Sequence, residues 1–549
     1  MKKSQILATA LCVLLPSAIM IDDGYAQVPA SQQQANATEL EGLWEGEAET
    51  GKWPLFLTLR LQGAGAALGG RLEFLGQGVP LSSGGSEGAS FKIRAGKYIV
   101  LEGRRDGDRL VGHLVEDATR LPFSLRRVPT YPKPATRVEA WTQDLDALET
   151  RFLPVDRSFS PGEALLFREA LAAIRSDLPR LTDAEVTMKM ASAIALADNP
   201  HTRLYLLRNA TELRRMPIRL WWFSDGLRVV RTDKQHRKLL GCQVDSIGGK
   251  PARLARDLVA PAFAGTPSWI DYKSVYSLTS PEALQGMGVT KSVDDVEYGL
   301  SGCAAAGSAK LKPLPLVRSE DSLEAWWDLT PLRAGSAGLD VQVLDGSRNK
   351  LPLYLRNPTK NYWFEYLPAK GILYFQYNRS SDAPEETTEA FGKRLLSALD
   401  QHPVKGLVID YRFNTGGNLH LGADLTKKLQ ERTKGIRRWI VAGRSTFSAG
   451  ITHVASWREA GNVTIIGEPV GDTMEFWAEG GNIKLPNSGY EVHFANGRHS
   501  YSPAPCPQGT YCYDLKADSL DPDIHLSPSW AEYRTGKDPV MDAILRQAK

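Results

Sequence analysis

The chain reads as a multidomain α/β and β protein, with a βαβ series around a parallel sheet at its C-terminal end and an antiparallel β-barrel or sandwich near its N-terminus. Three observations predict this. The 549 residues exceed what one hydrophobic core serves, and a chain of this length is expected to divide into about three or four domains. From about Leu40 to Arg127 short, glycine-punctuated runs alternate apolar and polar residues, the pattern of half-buried strands. From Tyr362 onward strand-like and helix-like segments take turns, the order that builds a parallel sheet.

The first 26 residues stand apart from the fold. Lys2-Lys3 precede an apolar run from Ile6 to Ile21, and Gly24-Tyr25-Ala26 offers a small-residue cleavage site before Gln27. This is the layout of a secretory signal peptide, so the chain is expected to be exported, to a periplasm or the extracellular space. No later run is long enough to span a bilayer, and no integral span is expected once the signal is removed. Four cysteines then remain, Cys242, Cys303, Cys506 and Cys512, an even number in a compartment that permits disulfides. Cys506 and Cys512 flank a Pro-Gly-containing loop and are expected to form a local bridge; a Cys242–Cys303 pair follows only by elimination. No C-x-x-C spacing favours a metal site.

Residues 27–38 are Gln-, Ala- and Ser-rich and read as an unstructured lead-in. In the β domain, residues 40–128, Leu55, Leu57, Leu59 and Leu61 mark one strand, and Tyr98 to Leu101 and Leu110 to Leu114 flank a hairpin turn at Asp106-Gly107-Asp108. Its opening Gly42-Leu43-Trp44-Glu45-Gly46 is distantly similar to lipocalin-like barrels. A linker with Pro129, Pro132 and Pro134 leads to a helical segment, residues 138–215. There Phe167, Leu171, Ile174 and Leu178 share a face, and a second helix opens with a capping box from Thr182 to Glu185. Its buried face is Val186, Met190, Ala193, Ile194 and Ala197. That helix stops at Asp198-Asn199-Pro200, because proline disfavours helix in the residue before it, which leaves His201 on the turn beyond. Residues 216–320 carry strand signals again, at Leu227 to Val230 and Gly241 to Pro251. In residues 360–549, Ile372 to Tyr377 is a strand, Phe391, Leu395 and Leu399 mark a helix, and Leu407 to Ile409 and Trp439 to Val441 are buried parallel strands.

The last two strands carry the chemistry. A glycine-rich turn follows the first, and a serine-rich turn, Ser445-Thr446-Phe447-Ser448-Ala449, follows the second. Ligands of such sheets bind at the carboxyl ends of the strands. Ser448 there opens a helix, where free N–H groups converge on its hydroxyl. A serine nucleophile needs such donors, because attack on a carbonyl creates an oxyanion.

Four ordered segments over roughly the last third of the chain resemble the tail-specific (C-terminal-processing) serine peptidases and their tricorn-like relatives. They are Asp410-x-Arg412-x-Asn414-x-Gly416-Gly417, then Thr446-Phe447-Ser448-Ala449, then Gly467-Glu468-x-x-Gly471. The closing pair is Leu520 to Ile524 with Gly536-Lys537-Asp538-Pro539. The resemblance implies a serine peptidase core at 360–549, with the helical segment as part of it. It also implies a PDZ-like module at 216–320, since Gly241 to Pro251 resembles a PDZ strand and turn, and such modules capture peptide ends by strand addition.

Residue by residue, the resemblance makes Ser448 the nucleophile. Asp198-Asn199-Pro200-His201-Thr202 resembles the Asp-Gly-His-Thr segment that supplies the histidine in the tricorn-like branch, so His201 is the expected base. The other branch uses a lysine after Gly-Glu; here Asp472 stands in that place, which argues against a Ser–Lys dyad. Ala449 and Gly416 or Gly417 are the expected oxyanion donors, and Thr202 with Glu475, Glu479 or Asp518 the candidates to complete a tetrad. Asp410 and Arg412 are expected to be an ion pair that holds the turn, and Asn414 to pin the Gly-Gly loop. The implied substrate is a peptide or unfolded protein, with no metal or organic cofactor. A non-catalytic ligand-binding protein on the same scaffold is the alternative, as in interphotoreceptor retinoid-binding protein.

Other classes fit poorly. A formal net charge of +3 without a dense basic tract gives no footing for nucleic acid. An α/β-hydrolase elbow needs glycine where Thr446 stands, even with His525 available as a base. No His-Glu-x-x-His segment and no phosphate-binding loop occurs.

Overall fold

The computed structural model describes residues 40–51, 53–63, 68–74, 77–206, 213–316, 329–332, 339–344, 346–501, 511–512 and 515–548. The expected signal peptide, the lead-in at 27–38 and the Cys506–Cys512 bridge lie outside the described residues.

Eight strands from Gly42–Glu49 to Thr119–Arg127 pair antiparallel with their sequence neighbours. The first also pairs with the last, from Trp44 opposite Arg127 to Ala48 opposite Phe123. The sheet is therefore a closed barrel and not a sandwich. Closure removes both sheet edges. The alternating leucines Leu55, Leu57, Leu59 and Leu61 face inward with Trp44, Leu72, Ile93, Leu101 and Leu114, so side chains fill the interior. The barrel is tied to the rest of the molecule by Arg151 and Glu45, 2.8 Å apart and mostly buried, and by Phe56 edge-on to Phe494.

The helices Pro161–Asp177 and Asp183–Ala195 both begin with a capping box, Ser160 with Glu163 and Thr182 with Glu185. Such caps satisfy N–H groups the helix cannot. Phe167, Leu171, Ile174, Val186, Met190 and Ile194 meet in one apolar cluster. The helix Arg137–Ala147, absent from the sequence pattern, starts at the end of the proline linker. Its mixed buried face, with Gln143 and Asp144 among the buried residues, hid the apolar period.

The middle region is an antiparallel sheet in the order Ile218–Phe223, Gly226–Thr232, Gln243–Ile247, Val296–Ser301, Gly307–Leu311. Three helices, Ala252–Val259, Pro267–Ser277 and Pro281–Gly286, interrupt it, where the sequence carried strand signals alone. Cys242 and Cys303 flank the paired ends Gln243 and Ser301 and form a disulfide.

The C-terminal sheet runs Tyr362–Leu367, Ile372–Tyr377, Gly406–Asp410, Arg437–Ala442, Thr464–Gly467, Ile524–His525. Its first pair is antiparallel and the rest are parallel. Helices Thr388–Gln401, Ala423–Arg432 and Ala449–Ala460 connect the parallel strands. The central strands are buried along their whole length, as a sheet covered on both faces requires.

Candidate active site

Three turns meet beyond the carboxyl ends of these strands, carrying Asn414 to Gly417, Ser445 to Ser448, and Glu468 to Asp472. Beneath them Arg412 lies 2.9 Å from Asp410 and 3.0 Å from Asp538, and Asp410 also accepts from the Tyr374 hydroxyl at 2.8 Å. This buried group anchors the first turn to the C-terminal helix Pro539–Gln547.

The serine turn is held from several sides. Thr446 Oγ1 donates to Tyr411 O (2.9 Å), Ser445 Oγ to Arg412 O (2.6 Å) and Phe447 N–H to Asn414 O (3.0 Å). Held this way, Ser448 adopts φ 54° and ψ −127°. A non-glycine residue rarely occupies that region, at a cost of about 1–3 kcal/mol, and keeps it only when its surroundings leave no alternative. The residue is half-buried and caps the helix Ala449–Ala460.

Gly416 backs directly onto it. A Cβ there would lie 2.7 Å from Ser448 Cβ, 3.1 Å from its Oγ and 3.2 Å from Ala449 N, and φ is +107°. Its own N–H donates to Asn414 Oδ1 at 2.9 Å. Asn414 thus pins the Gly-Gly loop and engages the Gly416 N–H. Among the described residues the N–H groups of Gly417 and Ala449 have no acceptor.

His201 reaches the same place from the turn after Asp183–Ala195. Strand Arg203–Leu204 pairs with Glu491–Phe494, and Asn199 Oδ1 accepts from Trp477 N–H at 3.2 Å, so this turn is fixed to the C-terminal half. The imidazole is stacked between Phe447 (centroids 4.5 Å apart) and Phe476 (5.4 Å). Trp269 from the middle region stacks on the far face of Phe447 at 4.1 Å. Nε2 of His201 lies 3.3 Å from Oδ2 of Asp472. Burial above all, with Arg203 and His499 nearby, holds His201 well below the ordinary histidine range, and Glu479 opposes this weakly. Burial likewise pushes Asp472 up to about 8, against the backbone N–H groups of Thr473 and Ser448 directed at it. The contact is therefore a hydrogen-bonded pair that resists charging, not an ion pair. No hydrogen bond joins Ser448 Oγ to His201 among the described residues; Asp472 stands between the two turns.

The remaining candidates lie elsewhere. Thr202 Oγ1 turns away from the imidazole to donate to Asp156 Oδ2 at 2.8 Å, and fixes the histidine turn. Glu475 pairs with Arg498 at 2.8 Å near the surface, and Asp518 is exposed. Glu479 lies 3.0 Å from His499 Nε2. Asp472 is the residue that sequence reasoning passed over. Its one signal was a carboxylate at the lysine position directly after Gly471. Among the described residues no cluster of three or more His, Cys, Asp or Glu could hold a metal ion, and no helix is long and apolar enough to cross a membrane.

No protein-family model matches the chain. No curated protein matches it either. Solved structures do. Mature CPAF complexed with lactacystin is 11% identical, with 75% of this chain and 98% of that chain covered and a TM-score of 0.49. The photosystem II D1 C-terminal processing protease is 13% identical, with 75% and 97% covered and a TM-score of 0.33. An S41 protease from Bacteroides fragilis NCTC 9343 is 12% identical, with 77% and 98% covered and a TM-score of 0.30.

Proposed function

We propose that this chain is an exported serine peptidase of the tail-specific, tricorn-like kind. The observation that carries the reading is the backbone of Ser448. A left-handed serine at a helix N-terminus, with the unaccepted N–H groups of Ala449 and Gly417 beside it, is costly for a turn with no task and suited to a nucleophile. Ser448 Oγ attacks the scissile carbonyl carbon. His201 takes the hydroxyl proton and later gives it to the leaving amine. The N–H groups of Ala449 and Gly417 hold the oxyanion, and water then releases the acyl group from Ser448.

In free enzymes the hydrogen bond between nucleophile and base is often long and tightens when substrate binds. The aromatic stack around His201 leaves the ring edges as its only polar contacts, which favours one orientation for that step. The middle region serves as the PDZ-like module that presents a peptide, and the signal peptide takes the chain out of the cytoplasm. The substrate is a peptide or unfolded protein.

Reaction with a fluorophosphonate, followed by mapping of the adduct, tests this reading. The expected result is one adduct on Ser448, absent from Ser448→Ala. An unlabelled wild-type protein, or an adduct elsewhere, would overturn it in favour of a ligand-binding role.

A further inference from the structure

The side chain of Asp472 has no exposure to solvent, yet it touches both halves of the proposed site. Oδ2 faces His201 Nε2 at 3.3 Å, Oδ1 accepts the Thr473 N–H at 3.0 Å, and the Ser448 N–H is directed at the same carboxyl. Its own turn is fixed. Gly471 N–H donates to Thr446 O at 2.9 Å, and Thr266 Oγ1 donates to Val470 O at 3.0 Å. A Cβ at Gly471 would lie 2.7 Å from both Arg444 O and the Trp269 ring, so the backbone before Asp472 has no room to shift. Burying a carboxyl is costly unless its polar atoms are satisfied. A turn needing only an acceptor for two amides could use a residue at the surface.

We propose that Asp472 is a positioning residue for His201: its carboxyl fixes which imidazole nitrogen carries the proton and ties the ring to the backbone of the nucleophile turn. The inference rests on the reading of Ser448 and His201 as nucleophile and base. Its chemistry follows from counting protons. When Asp472 is ionised, Nε2–H donates to Oδ2, and Nδ1 is left with a lone pair to accept the Ser448 proton. When Asp472 holds a proton, its O–H donates to Nε2, the imidazole proton moves to Nδ1, and the ring has no free nitrogen for the serine. The active form is therefore the one with one proton fewer on the pair, and the rate rises as pH passes the point where the pair gives that proton up. Arg203 and His499 favour that loss, and the charge of Glu479 opposes it on the His201 side. Such an apparent pKa belongs to the pair and not to either residue.

Asp472→Asn is the informative change because it keeps the size of the side chain. Its oxygen still accepts the amides, but its NH2 group donates to Nε2 at every pH and holds the proton on Nδ1. A wrong tautomer of this kind costs a serine hydrolase up to about 10⁴-fold. The experiment follows the rate of fluorophosphonate labelling from pH 6 to 10 for wild type, Asp472→Asn and Asp472→Ala. Melting curves accompany it, and 15N spectra of histidine-labelled protein read the tautomer of His201, assigned with His201→Gln. The expected result is an alkaline rise in the wild type and labelling at least about 100-fold slower in the folded Asp472→Asn protein, without that rise and with His201 protonated on Nδ1. Wild-type rate and pH profile in Asp472→Asn would overturn the role of Asp472 and leave Ser448 as nucleophile. A wild type that does not label overturns the functional reading itself. In that case unchanged 15N shifts in Asp472→Asn overturn the tautomer assignment as well, and changed shifts uphold it.

Discussion

Replacing Ser448 should stabilise this protein if the replacement is glycine and not if it is alanine. Ser448 sits at φ 54°, ψ −127°, a region in which an L side chain costs about 1–3 kcal/mol. Glycine lacks the Cβ that causes the cost, but it adds about 0.4–1 kcal/mol of unfolded-state entropy that folding must overcome. Alanine keeps the Cβ and the strain. The hydroxyl is lost in both, and it has no hydrogen bond among the described residues, so its removal cancels in the comparison. Ser448→Gly should therefore exceed Ser448→Ala in stability by about 1 kcal/mol. For a unit of 150–250 residues that corresponds to roughly 2–4 °C in the melting temperature. Thermal melts of the two variants at one protein concentration, repeated in urea, measure the difference. Equal stability, or a less stable glycine variant, would refute the claim that the serine turn stores backbone strain.

Three further outcomes follow from the same geometry. Gly416→Ala places a Cβ 2.7 Å from Ser448 Cβ in a glycine with φ +107°; fluorophosphonate labelling should fall more than about tenfold, the factor that 1.4 kcal/mol of displacement already gives, with circular dichroism unchanged. Arg412→Ala leaves Asp410 and Asp538 buried without their partner, which should cost about 3–5 kcal/mol, and Arg412→Lys should not restore it in a denaturant titration, because lysine cannot bridge both carboxylates as a planar fork. The third concerns pH. The folded-state pKa of Asp472 is raised to about 8 from 3.8, so the native state binds more protons than the unfolded chain between those values. The contribution is fully present below 3.8 and is lost as pH rises through about 8. Relative to Asp472→Asn, wild type should lose stability steadily from pH 4 to 8; a constant difference between the two would contradict the burial of this carboxyl.

Much of the fold was legible because its signals were local. The barrel strand at Leu55 to Leu61, the capping box at Thr182, and the parallel strands at Leu407 to Ile409 and Trp439 to Val441 all obey a simple period or cap. The choice of barrel over sandwich depended on pairing between residues about eighty apart, Trp44 and Arg127, which no local pattern encodes. The helices at 252–286 were missed for a related reason. Pro267–Ser277 buries Trp269, Tyr272, Val275 and Tyr276 together with polar Ser274 and Ser277, so no clear polar stripe marked it.

The site divides in the same way. The placement of Ser448 on a turn between a strand and a helix was readable from their order in the sequence. His201 was reached through a short segment, and its position beside Asp472, 271 residues away, could not be. Gly416 shows a subtler limit: its glycine is needed for close approach to Ser448, but its N–H is already committed to Asn414. A sequence can show that a backbone must come close without showing which of its donors is free. Thr202 and Glu475 were nominated through the family resemblance, and the folded chain pairs them with Asp156 and Arg498.

The most direct test of the central claim is incubation of residues 27–549 with a mixed pool of unstructured peptides, beside Ser448→Ala, with products read by mass spectrometry. The account predicts cleavage by the wild type and none by the variant. Equal cleavage by both, or none by either, would contradict it.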